Sequence, residues 1–106
     1  MNPPLPEDRL AGADVATIHA ALFEQLVAGH GQMVLTFLGQ IPDPHTGERA
    51  EPDLVAAKIF IDQLEMLETK TRGNLGASEI ELLRNTLQVT HAAFLEIFDA
   101  QSSSAS

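Results

Sequence analysis

Leu54-Val55-Ala56-Ala57-Lys58-Ile59-Phe60-Ile61-Asp62-Gln63-Leu64-Glu65-Met66-Leu67 is the stretch that decides the fold. Leu54, Ala57, Phe60, Ile61, Leu64 and Leu67 recur every three or four positions, so they line one side of a helix. Pro52 suits a first helical position, where its missing N–H leaves nothing unpaired, and the helix is expected from there to Arg72. Lys70 and Arg72 fall in its last turn, where cations meet the negative end of the helix dipole. Gly73 follows as the expected left-handed residue. The same stretch carries a second apolar row, Val55, Ile59 and Met66, turned away from the first.

Working upstream, Ile41-Pro42-Asp43-Pro44-His45-Thr46-Gly47-Glu48-Arg49 holds two X-Pro bonds and a Thr-Gly turn, and reads as a loop. Before it, a helix is expected from an Asp14 cap to about Leu38, closed by Gly39 and Pro42. Val15, Leu22, Leu26, Met33 and Phe37 share one side of it. Phe23, Val27, Val34 and Leu38 widen that side to about half the circumference. Gly29 and Gly31 imply a kink or a close helix–helix approach. Downstream, Ser78 and Glu81 form a capping box opening a third helix, whose buried side carries Ile80, Leu83, Leu87, Phe94 and Phe98. Nothing keeps a period of two, so strands are not expected. The fold class is all-α, three helices in antiparallel order. One domain over 14–100 sits between a flexible leader, 1–13, and a disordered Ser-rich tail, 101–106.

The composition narrows the function classes. With 106 residues and a net charge of −9, from fifteen acids against six bases, the chain would repel a phosphate backbone or an anionic membrane surface. Neither nucleic acid nor membrane is an expected partner. Cysteine is absent, which removes disulfides and thiolate chemistry. The N-terminus has no basic region followed by an apolar one, and Met33 to Leu38 is far shorter than a membrane span. A cytoplasmic location is the expectation.

Three helices can bury one apolar row each against one another. The surplus rows would then form wet apolar patches, which monomers avoid. The expected interface residues are Phe23, Val27, Val34, Leu38, Val55, Ile59, Met66, Leu82 and Val89, with a homo-oligomer or another protein as the partner.

Leu38-Gly39-Gln40-Ile41-Pro42-Asp43-Pro44, Thr46-Gly47-Glu48, Ile61-Asp62-Gln63-Leu64-Glu65-Met66-Leu67 and Lys70-Thr71-Arg72-Gly73-Asn74-Leu75 together resemble a bacterial domain-of-unknown-function family, number eighteen forty-four. Asp53-Leu54, Ala57-Lys58, Glu79 and Leu83 continue the likeness, which runs from Met33 to Phe94. The resemblance implies a small, helical, bacterial cytoplasmic protein and brings no catalytic residues with it. Where family members end the third helix on a Leu-Arg pair, this chain has Thr90-His91.

Candidate chemistry is sparse. His19, His30 and His91 fall on apolar faces and His45 in the loop, with no pair four residues apart, so no metal site is expected. Lys58 with Asp62, and Glu68 with Arg72, are spaced to pair along one helix. Glu65 and Glu68 read as a solvated face rather than a catalytic carboxylate pair. No cofactor and no enzyme activity are expected. The turn Lys70, Thr71, Arg72, Gly73, Asn74 and Ser78 combines cations with a helix N-terminus and is the candidate anion site. The leading expectation is therefore a structural or protein-interaction module. The alternatives are a small-anion or metabolite-responsive regulator using that turn and, behind it, a metal-dependent enzyme.

Overall fold

The computed structural model describes residues 14–105, with side chains through residue 103. The proposed leader 1–13 and the final residue of the tail lie outside the described residues. Three helices form, α1 (Val15–Phe37), α2 (Leu54–Lys70) and α3 (Ala77–Ala105), each packed on the other two, and no strand occurs among the described residues.

Each boundary has a local cause. The Asp14 side chain accepts the Ala16 N–H at the start of α1 (3.2 Å). Gly39 ends that helix in the left-handed region (φ 73°), with the Gly39 N–H donating to the Thr36 carbonyl. The first residue of α2 is Leu54, not Pro52, because Asp53 is the cap: its carboxylate accepts the Ala56 N–H at 3.0 Å. The Asp53 N–H in turn donates to the Phe37 carbonyl (2.7 Å), which brings the start of α2 back to the end of α1. α2 stops at Lys70, two residues short of the expectation, and Gly73 takes its positive φ (87°) inside the following turn. α3 opens at Ala77 rather than after Ser78. There Glu79 Oε1 accepts the Gly76 N–H (2.8 Å), so the reaching-back half of a capping box uses Gly76 and Glu79 instead of Ser78 and Glu81.

The contacts set the antiparallel order. Phe37 meets Phe60 at 5.6 Å between ring centroids while His30, two turns earlier, reaches Gln63, so α2 runs back along α1. The short 71–76 turn then reverses the chain into α3, where His91 meets Glu65.

Val27, Val34, Leu38, Ala57, Ile61, Leu64, Leu83 and Leu87 form the buried core. Three of these, Val27, Val34 and Leu38, were expected on an association face, and that expectation is corrected: they are at most 1% exposed. The deciding residue is Gly31, on the same row. A Cβ there would lie 2.9 Å from Thr86 Cγ2, so this is where α1 comes close to α3. The row that permits close approach is the row that is buried. Gly29, two residues before Gly31 and on the other side of the helix, has nothing within 4 Å of its Cβ position. α1 runs unbroken through both glycines.

Two further corrections concern α3. Phe98, expected on the buried side, is 47% exposed and stacks on Phe94 at 6.3 Å. The helix continues through 101–105 instead of dissolving into a tail, because extending an existing helix orders one residue per hydrogen bond gained. Thr90 is buried with its hydroxyl satisfied by the Thr86 carbonyl (2.7 Å).

Candidate functional site

α1 has 23 residues and one charged side chain, Glu24. Turned about 130° from its core row, Val15, Leu22, Leu26 and Met33 fall within about 40° of one another at 100° per residue. They are 63%, 57%, 46% and 39% exposed. Leu26 and Met33 border a groove of about 570 Å³ whose other walls include Ile41, Pro42 and Pro44 of the loop and Phe60 of α2. His30 holds the seam beside it. Its Nδ1 donates to the Leu26 carbonyl (3.1 Å), Nε2 lies 2.7 Å from the Gln63 side-chain amide, and the ring meets Phe60 edge-on at 5.3 Å.

Of the other residues expected at an interface, Val55, Ile59 and Met66 are exposed on α2. Phe23 and Leu82 are half-buried against the core, and exposed Val89 borders a shallow groove between α1 and α3 with Ala28, Leu35 and Thr86. The sequence places both α1 rows on one wide apolar side and expects the interface at Phe23, Val27, Val34 and Leu38, whereas Val15, Leu22, Leu26 and Met33 are the exposed ones. Both rows are apolar and each has a glycine beside it, and what separates them is that Gly31 meets Thr86 while Gly29 has nothing within 4 Å of its Cβ position.

The α2–α3 turn differs from a backbone anion cradle. The Gly76 N–H is taken by Glu79, the Asn74 N–H donates to the Thr71 carbonyl (2.9 Å), and the Thr71 hydroxyl donates to the Leu67 carbonyl (2.6 Å). Lys70, Asn74 and Ser78 are exposed and do not line the cavity beneath the turn. Thr71, Arg72 and Gly73 do, joined by Glu68, Leu75, Ile80, Leu83 and Arg84. Arg84 escaped the sequence reading, although it stands one helical turn after Ile80 and so shares its face.

The histidines do not converge, and among the described residues no three His, Asp or Glu side chains gather as a metal would require. His19 and His45 are exposed. His91, expected on the buried stripe, instead meets Glu65 at 2.7 Å with both side chains about half exposed (47% and 50%). Lys58 pairs with Asp62 at 3.0 Å as its spacing implies. The second expected pair, Glu68 with Arg72, does not form an ion pair. None of the described helices is long and apolar enough to cross a membrane.

No curated protein and no solved structure matches the chain. A family model does, over residues 20–96, from the second turn of α1 to the last third of α3. That span takes in the α1 face, the proline loop and the α2–α3 turn, and on it the chain belongs to the family described as Domain of unknown function (DUF1844).

Proposed function

We propose that the protein is a non-catalytic interaction module that assembles with a second copy of itself through the outer face of α1. One observation carries this reading: a 23-residue helix with a single charge exposes Val15, Leu22, Leu26 and Met33 in one row. A helix apolar on both sides is normally covered on both. The balance of the whole fold agrees. Eight apolar residues are buried, while eleven large hydrophobic side chains among the described residues are exposed. A second copy suits the face better than a charged partner does. With a net charge of −9, two copies repel one another over most of their surface, but the α1 row brings few like charges together. The proposal includes a cytoplasmic location, with which the lack of a membrane-crossing helix among the described residues is compatible.

Light scattering behind size exclusion at micromolar concentration tests it. The wild type is expected above its 11.4 kDa monomer mass. Leu26→Glu should return it to the monomer with its helical circular dichroism intact, since Leu26 lies outside the core. A wild type that stays monomeric, or a Leu26→Glu variant that still assembles, would remove α1 as the association face.

A further inference from the structure

Arg72, from the turn after α2, and Arg84, from the second turn of α3, line one cavity of about 210 Å³. Leu75, Ile80 and Leu83 give it an apolar wall, with Leu83 buried and Leu75 half-buried, beside Glu68, Thr71 and the two arginines. Among the described residues neither guanidinium has a hydrogen-bond or ion-pair partner, in a chain where fifteen acids face six bases. Two like charges thus border one small, partly apolar cavity, and Glu68, which also lines it, is paired with neither. A guanidinium offers a planar fork of donors that matches a carboxylate. Inorganic phosphate would satisfy the charges but leave Leu75 and Ile80 against water.

We propose that this cavity binds a small aliphatic carboxylate, its head on Arg72 and Arg84 and its tail on Leu75, Ile80 and Leu83. Glu68 lines the same cavity and sets which source of that chemistry fits. An ammonium beside the ligand carboxylate would pair with Glu68, as in a free aliphatic amino acid, whereas a simple carboxylic acid leaves it unused. The site is independent of the α1 face, and a strictly monomeric protein would leave it standing.

Calorimetric titration of the full chain with leucine, isocaproate and inorganic phosphate at fixed ionic strength tests the site. Saturable binding of leucine or isocaproate is expected. It should weaken about tenfold or more in Arg72→Gln and Arg84→Gln, each of which removes a charge-assisted contact. Lys70→Gln, which alters an exposed cation outside the cavity, should leave it unchanged. A preference for leucine that Glu68→Gln abolishes identifies the amino acid, and a preference for isocaproate identifies the simple acid. Thermal melts of the variants confirm that they are folded. Failure of both carboxylates to bind, equal binding of phosphate, or full affinity in folded Arg84→Gln would overturn the proposal.

Discussion

α1 and α2 are built on one plan and finished differently. Each starts on an aspartate cap, buries one row and leaves a second apolar row outside. On α2 the outer row of Val55, Ile59 and Met66 is interleaved with Lys58, Asp62 and Glu65, part of five charges in 17 residues. On α1 the outer row has Glu24 as its only charged companion in 23 residues. Scattered surface hydrophobes among charges are ordinary. A row of them on a helix with almost no charge is not, which is why the association reading rests on α1 and treats α2 as a flank.

If inner and outer rows differ as described, truncations should separate them widely. Leu64 is fully buried, and Leu64→Ala should cost about 2–5 kcal/mol through lost burial and the cavity left behind. Ile59→Ala, on the outer row of the same helix, should stay within about 0.5 kcal/mol in the monomer. Urea unfolding of a dissociated background reads both. Equal losses would erase the distinction on α2 and with it the parallel drawn to α1.

The next largest effect lies where α1 hands over to the loop. Gly39 has φ 73°, and a Cβ there would meet the Ala50 carbonyl oxygen at 2.5 Å. Gly39→Ala should cost about 2–3 kcal/mol, combining left-handed strain with a backbone clash that no side-chain rotation relieves. Gly73 has a similar φ (87°) but nothing within 4 Å, so Gly73→Ala should cost only about 1 kcal/mol. Chemical unfolding of the two variants side by side measures the difference. Equal losses would mean that the 38–53 loop yields to the added methyl.

Three helices, their order and their approximate ends were legible because the periodicity and most caps act locally. Asp14 and Gly39 could be read directly, since each makes its contacts within a few residues. Whether Pro52 opens the helix or Asp53 caps it could not. Pro52 and Asp53 are adjacent, and the choice depends on the Asp53 N–H reaching the Phe37 carbonyl across the loop. The same limit explains Val27, Val34 and Leu38. Rows of equal hydrophobicity look alike until the approach of Thr86 to Gly31 ranks them. In the turn, Thr71, Arg72 and Gly73 were legible as neighbours in sequence. Arg84 enters from another helix, and only packing brings it to the cavity.

The smallest predicted effects come from the paired glycines of α1 and test that ranking directly. Gly29 is exposed with open space at its Cβ position, so Gly29→Ala should stabilise the monomer by about 0.5–1 kcal/mol by raising helix propensity. Gly31→Ala gains the same propensity but sets a methyl 2.9 Å from Thr86 Cγ2, on a β-branched side chain with few rotamers to retreat into. The helices must part slightly, and a net loss of about 1 kcal/mol is expected. Thr86→Ser removes the opposing methyl and should restore part of that loss, so the double mutant should be more stable than the two single changes added together. Denaturant midpoints for the four variants and the wild type complete the cycle. Strict additivity would show that α1 and α3 do not meet at Gly31, and the inner row of α1 would then need another cause. Gly29 also carries information about assembly, because it lines the groove beside Leu26 and Met33. A Gly29→Ala protein that is more stable as a monomer yet associates more weakly would place the partner's backbone against that position.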